Sequence, residues 1–445
     1  MKKSVLFISY LFPPVGGAGV QRATKFVKYL SEFGWQPTVL TVENPSVPLF
    51  DDTLVKEIPA ATEIIKARTY EPGYKAKQAV SSATVSQSQS LSLARGIKWL
   101  VRKVANSILQ PDSQILWFPQ ARRKANQVIA NKKFDAIIAT APPFSSLVLG
   151  AYLSRKHNIP LALDYRDEWE ISNQVWENKS MGGFSGFIQM KMQNFAIRQA
   201  SSIIATSQLS TDSLRGNVNR LGASAKTHCV YNGYDAADFA GNNIQAKARR
   251  QKYRLSYVGT LWGLTSIAPV VQALLKLGNE YPDLAKSIEL VVAGRRVAEQ
   301  EKLLRQLESS GIELVLHDYL SHEDALSLME DSQGLCLLLT GIGFAKRVIP
   351  AKLFEYMASR NSIFVVAPKG EVWNLLENYP GAFFSDPEDI SGLTKSLAAD
   401  ISRFLNNEDL KVKKFDFTKY ERKSLTSQLA IILDEMVGVG PERGL

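Results

Sequence analysis

The sequence predicts an α/β protein built from two Rossmann-like, doubly wound domains, each a parallel sheet covered by helices on both faces. Two observations predict it. The strand candidates are short, continuous apolar runs rather than alternating ones, as a sheet buried on both sides requires. The alternation of strand and helix also runs twice, before and after a polar, basic stretch at residues 238–253. A length of 445 residues leaves room for two or three domains at roughly 100–200 residues each.

In the first array, strands are predicted at residues 4–9, 37–42, 63–67, 134–140, 161–164 and 202–206. Helical spacing is read at 20–33, from 145 onward, and at 186–200. The second array has strands at 255–258, 288–293, 313–316, 334–339 and 363–366, with helices at 269–277, 322–329 and 351–358. A last helix is expected over 421–436, where Leu425, Leu429, Ile432 and Met436 recur at helical spacing. The expected organisation is therefore a first domain at 1–237, a linker at 238–253, a second domain at 254–415 and a C-terminal helical segment at 416–445.

An insert at about 67–110 breaks the rhythm. Its Ser/Gln/Thr-rich tract at 81–92 reads as a mobile loop. Residues 95–109 follow, with Ile97, Leu100, Val101, Val104 and Ile108 at helical spacing among Arg95, Lys98, Arg102 and Lys103. This pattern fits an amphipathic helix on an anionic membrane face, but the plainer reading is a surface helix packing its apolar stripe on the domain, as most amphipathic helices do.

Composition narrows the class. A formal net charge of +10 favours anionic partners, though the sign alone does not choose between nucleic acid, acidic lipid and phosphorylated ligand. No aromatic-basic module points to nucleic acid, which is not expected as a partner. The two cysteines, Cys229 and Cys336, form neither a disulfide framework nor a zinc spacing, which fits a reducing compartment. Cys336 lies in an apolar run and reads as a small core residue. The apolar run after Met1-Lys2-Lys3 stops at Pro13-Pro14 and reads as a buried strand rather than a signal peptide. No stretch approaches the ~18 apolar residues of a membrane span. The expectation is a cytoplasmic protein, with peripheral association with the inner face of the membrane as an option.

The first candidate site is the loop Pro13-Pro14-Val15-Gly16-Gly17-Ala18-Gly19, which opens into a helix. Glycines let the backbone approach a ligand, and the helix N-terminus offers N–H groups to a phosphate. A dinucleotide fingerprint fits poorly, because Arg22 stands where its third glycine would pack. A structural turn is the plainer alternative.

The order of motifs along nearly the whole chain resembles glycosyltransferase family 4. The motifs are the Pro-Pro and Gly-Gly-Ala-Gly loop, then Asp164-Tyr165-Arg166-Asp167-Glu168-Trp169 and Tyr231-Asn232-Gly233. Further on come Tyr257-Val258-Gly259-Thr260, Val292-Ala293-Gly294 and Pro350-Ala351-Lys352-Leu353-Phe354-Glu355-Tyr356-Met357-Ala358. The resemblance implies a GT-B fold, with a nucleotide-sugar donor between two Rossmann-like domains and a glycan or lipid-linked sugar as acceptor. It implies that Glu355 accepts the ribose hydroxyls and that Lys352 stabilises the diphosphate leaving group. It further implies donor contacts from Gly17, Gly19, Asn232, Gly259 and Thr260, with retention of anomeric configuration. Arg295 and Arg296 are candidate phosphate cations or a solvated pair.

Three positions depart from the family pattern. Arg347 replaces the first of two glutamates eight residues apart, the one that touches the donor sugar. Thr260 stands where an arginine is frequent, so anion binding would fall to Lys346, Arg347 or Lys352. Arg166 replaces a histidine, leaving Asp164 or Asp167 to handle the acceptor hydroxyl. A buried Asp–Arg pair shaping the site is the alternative there.

No Asp-x-Asp motif occurs, so neither a metal nor any other cofactor is expected. His157, His228, His317 and His322 lack metal-ligand spacing. The leading reading is a sugar transferase in surface polysaccharide or glycolipid synthesis. A nucleotide-sugar epimerase of the same fold and a non-catalytic nucleotide-sugar-binding subunit are the rivals.

Overall fold

The structure, a computed structural model, describes residues 2–75, 109–175, 183–239, 250–408, 412 and 415–438. The tract at 81–92, all but the last residue of the amphipathic stretch 95–109, and most of the 238–253 linker lie outside these residues. The chain divides into two compact units, Met1–Tyr231 with Lys423–Leu445, and Asn232–Arg422.

The first unit contains strands β1 (Lys3–Ile8), β2 (Trp35–Val42), β3 (Glu63–Ala67), β4 (Ala136–Ala141), β5 (Leu161–Tyr165), β6 (Ser202–Ala205) and β7 (Lys226–Cys229). They form one sheet in the order β3-β2-β1-β4-β5-β6-β7, with every pairing parallel. Helices α1 (Ala18–Leu30), α2 (Phe118–Asn131), α3 (Ser145–His157), α4 (Trp169–Val175), α5 (Gly183–Gln199) and α6 (Gln208–Arg220) connect them.

The continuous apolar run of β1 has a direct physical cause. Leu6 and Ile8 point into one core with Leu147, Leu161 and Ile203, while Val5 and Phe7 point into another with Phe26, Val27 and Leu30. Successive side chains leave opposite faces of a strand, so both parities must be apolar when both faces are covered.

The second core is completed from the far end of the sequence. Leu425, Leu429 and Leu433, on the final helix Arg422–Met436, pack against Val5, Phe7 and Val27. Burying three leucines contributes roughly 5–9 kcal/mol before the entropy of ordering the helix is subtracted. Asp434 on this helix pairs with Lys3 and accepts a 2.8 Å hydrogen bond from Trp35 Nε1.

The second unit repeats the plan. Strands β8 (Tyr253–Val258), β9 (Ile288–Ala293), β10 (Glu313–His317), β11 (Gly334–Leu338), β12 (Ser362–Val366) and β13 (Ala382–Ser385) form a parallel sheet ordered β10-β9-β8-β11-β12-β13. Its helices are α7 (Ala268–Glu280), α8 (Pro282–Lys286), α9 (Ala298–Leu304), α10 (His322–Glu330), α11 (Lys352–Ala358), α12 (Glu371–Leu376) and α13 (Ile390–Leu405). Cys336 is fully buried among Leu255, Leu290 and Phe364, a core role. Two distant segments close this unit. Tyr234 N–H donates to the Tyr420 carbonyl at 3.1 Å, and the Tyr234 carbonyl accepts from Arg422 N–H at 2.7 Å.

Each sheet reverses strand order once, between β1 and β4 in the first unit and between β8 and β11 in the second. Loops leaving the two strands at such a point diverge to opposite faces and open a crevice at their C-terminal ends, the usual ligand position in this architecture. No helix among the described residues is long and apolar enough to cross a membrane.

Candidate functional site

In the first unit, the β1/β4 reversal places the glycine loop beside the segment after β4. Gly17 takes φ 99° at the N-cap of α1, a conformation that favours glycine, and no side chain caps this helix end. Its first turn carries no acidic residue, so its positive dipole is not offset there.

Arg166, just beyond β5, reaches back across this edge. Its Nε donates to the Ala141 carbonyl at 3.3 Å, and its Nη2 donates to the Pro142 carbonyl. Its Nη1 lies 3.2 Å from the point a Cβ on Gly19 would occupy. One guanidinium is thus bonded to the segment after β4 and lies against the first turn of α1. Burial lowers its pKa, opposed by the nearby Asp167 and Asp164 carboxylates. Asp167 is half-buried, and burial raises its pKa against the pull of Arg166. Its carboxylate takes no hydrogen bond among the described residues.

Asp164 does not share this exposure, and the expectation that it handles an acceptor hydroxyl gives way. It is 1% exposed at the end of β5. Arg22 Nη2 and Nε donate to its Oδ1 at 2.8 and 3.1 Å, and Thr140 Oγ1 donates to its Oδ2 at 2.8 Å. Arg22 is itself 2% exposed and also donates to the Tyr231 carbonyl at 2.6 Å. The buried Asp–Arg pair therefore exists, but its arginine is Arg22 rather than Arg166. The signal for it was the arginine occupying the third-glycine position.

In the second unit, Lys352 opens α11 and turns toward the end of β8. Its Nζ donates to the Val258 carbonyl at 3.0 Å and sits 3.6 Å from the centre of the Tyr257 ring. A Cβ on Gly259 would lie 2.9 Å from that Nζ, so any side chain at 259 would displace the ammonium. Burial pushes the Lys352 pKa down to about 7. Cys336 is an ineffective counter-charge, because burial raises its own thiol to about 12 and leaves it neutral. Glu355, one turn along α11 and half-buried, is the anion that holds the lysine partly protonated.

The backbone around Gly259 is tightly fixed. Gly259 N–H donates to the Ala293 carbonyl at 2.8 Å, and Leu261 N–H donates to the Arg295 carbonyl at 2.8 Å. These two amides are therefore not available to an anion, which narrows the expected donor set to Thr260, whose N–H is unbonded among the described residues. The Thr260 carbonyl accepts from Tyr257 Oη at 2.9 Å and from Thr265 Oγ1 at 2.6 Å, which holds the turn rigid.

The two arginines after β9 have separate roles. Arg296 donates to the Gly294 carbonyl at 2.7 Å, the His317 carbonyl at 2.5 Å and Asp318 at 3.0 Å, a structural role. Arg295 is exposed. Arg347 is half-buried at the end of the short turn Gly343–Arg347, and Asn232 is half-buried where the second unit begins.

Thr340, directly after β11, was missed by sequence reasoning. Its N–H donates to the Leu264 carbonyl at 2.9 Å, but its buried Oγ1 has no partner among the described residues. A buried, unpaired hydroxyl costs about 1–3 kcal/mol, and its place beside the strand reversal makes it a candidate contact for a polar ligand. Its only sequence signal was a polar residue ending an apolar strand. Within this unit the crevice offers a cation, a free amide, a hydroxyl and a carboxylate, a set suited to an anionic, hydroxylated ligand.

No protein-family model matches the sequence, and no curated protein matches it. Solved structures do match across both units. The chain is similar to an alpha,alpha-trehalose 6-phosphate synthase from Burkholderia multivorans, 11% identical, covering 98% of this chain and 99% of that one with a TM-score of 0.59. It is similar to HepE of Anabaena in complex with UDP and glucose, 15% identical over 98% of this chain and 97% of that one, TM-score 0.55. A third likeness is to a protein assigned as a UDP-N-acetylglucosamine 2-epimerase from Listeria monocytogenes, 11% identical over 98% and 97%, TM-score 0.54. The chain has the GT-B fold. At such identities the likeness carries the fold and not the activity.

Proposed function

We propose that this chain is a glycosyltransferase of the family 4 type. It takes a hexose from a nucleotide sugar, with UDP as the nucleotide, and passes it to a glycan or lipid-linked acceptor in surface polysaccharide or glycolipid synthesis. The observation that carries the reading is Lys352, held between the Tyr257 ring and the Val258 carbonyl at the strand reversal. Its ammonium meets the diphosphate as negative charge develops on the leaving oxygen, where a preorganised cation has its largest effect. Glu355 accepts the ribose hydroxyls, Thr260 N–H and Arg295 add to the anion site, and Arg347 contacts the donor sugar in place of a glutamate. In the first unit Gly17 and Gly19 are the candidate donor contacts, Arg166 stands in the place of the family's histidine, and Asp167 orients the acceptor hydroxyl. The transfer retains configuration and uses no metal, since the cations Lys352, Arg295 and Arg347 take the charge-neutralising role.

The test is UDP release from UDP-sugars, with and without acceptor, in the parent and in Lys352→Ala and Glu355→Ala. Both variants are expected to lose about 10²–10³-fold in turnover. Undiminished release in both would sink the site assignment. A second reading, a UDP-sugar epimerase, draws on the likeness to the Listeria protein. It requires an isomerised nucleotide sugar to form from the donor alone, which separates the two.

A further inference from the structure

Helix α5 packs Ala196 and Ile197 into the core, yet it is also apolar on its exposed side. It buries two glutamines, Gln189 and Gln193, and exposes Phe184 at 73%, Phe187 at 51% and Met190 at 37%. Gln189 Oε1 accepts a 3.2 Å hydrogen bond from Trp169 Nε1, so the helix cannot rotate to hide its aromatics without stranding that pair. The exposed residues 184, 187, 190, 191 and 198 follow helical spacing and form one stripe. Lys191 and Arg198 supply its charges, and α5 has no acidic residue at all. The Lys191 ammonium lies 5.3 Å from the centre of the Phe187 ring, so cation and aromatic share one patch. Gln110 Nε2 donates to Ser185 Oγ at 2.6 Å, fixing the first turn to the body of the unit.

We propose that this stripe docks the protein on an anionic lipid bilayer. Phe184, Phe187 and Met190 enter the boundary between headgroups and acyl chains, while Lys191 and Arg198 meet lipid phosphates. Charge decides against a second copy of the chain as occupant. The stripe has two cations and no carboxylate to answer them, and the whole chain carries a net +10. The docking face goes beyond the donor-site reading and stands without it.

The test is co-sedimentation of the full chain with phosphatidylcholine vesicles, with and without phosphatidylglycerol. The parent is expected to sediment with the anionic vesicles only, and salt should weaken the association. Phe184→Ser/Phe187→Ser should lower the bound fraction at least about tenfold. Lys191→Glu should lower it less, and this variant settles the matter if the double variant fails to fold. Far-UV circular dichroism and the UDP-induced thermal shift should be unchanged in both, which separates loss of docking from damage to the donor site. Parent binding that survives all these substitutions overturns the proposal, as does a parent that ignores anionic vesicles. A parent dimer dissociated by the same substitutions also overturns it, by assigning the stripe to self-association.

Discussion

Gly294 lies so close beneath Gly259 that a Cβ added to it would fall 2.2 Å from the Gly259 carbonyl oxygen. Gly294 also takes φ 126°, a backbone conformation other residues rarely adopt. Gly294→Ala is therefore expected to destabilise the protein by roughly 1–3 kcal/mol. It should also abolish the thermal shift produced by UDP, because the displaced turn carries Thr260. Gly263→Ala meets nothing within 4 Å and serves as the control. Equal melting temperatures for the two variants would refute the packing argument.

Lys352 makes stability and ligand binding respond to pH in opposite senses. Its folded pKa of about 7 lies below its ordinary 10.5, so between those values the unfolded chain binds more protons. Stability should rise with pH across that window, and Lys352→Met should remove the rise. Affinity for UDP should fall as pH climbs through about 7, because the cation that meets the diphosphate is lost. Urea denaturation and titration calorimetry over this range check both slopes. A parent and a Lys352→Met variant with parallel stability profiles would dispose of the idea.

The Arg22–Asp164 pair tests burial against attraction. Asp164→Ala leaves the Arg22 guanidinium buried without its carboxylate, at an expected cost of about 3–5 kcal/mol. Replacing both partners, as Arg22→Met with Asp164→Leu, should recover most of that loss. Chemical denaturation of the parent and these two variants makes the comparison directly. A single variant within about 1 kcal/mol of the parent would mean that water reaches the site.

Asp167 is expected to shape the acid limb of the rate profile. Burial raises its pKa, so transfer to acceptor should switch on with rising pH somewhat above the ordinary carboxylate range. Asp167→Asn should flatten that limb and lower acceptor-dependent turnover by about 10²–10⁴-fold. UDP binding should survive the substitution. Full transfer activity in Asp167→Asn would remove this residue from the reaction.

The strands read most directly in the sequence were those whose both faces are buried, although the mostly exposed edge strands β3 and β10 were also read, at 63–67 and 313–316. Val5 to Ile8 and Leu290 to Ala293 are apolar without interruption, and their strands fall within a residue of expectation. The edge strands β7 and β13 were not legible. Lys226–Cys229 holds no fully buried side chain, so no apolar pattern marks it. The site residues followed a similar rule. Lys352 and Glu355 were singled out because they sit in a dense motif. Arg22 was seen only as a missing glycine, and Thr340 only as a strand terminus. The roles of both depend on partners 142 residues away for Arg22 and 76 for Thr340, and spacing along a chain does not encode such meetings.

The final helix has a consequence for biosynthesis. The face formed by Val5, Phe7 and Val27 is synthesised before the second unit, whereas Leu425, Leu429 and Leu433, which cover it, are synthesised after it. The amino-terminal unit thus waits through translation of the entire second unit with an uncovered apolar surface. A fragment ending at Tyr231 would keep that surface permanently and should aggregate or recruit chaperones. Joining residues 2–231 directly to 423–438 should yield a soluble, independently folding piece.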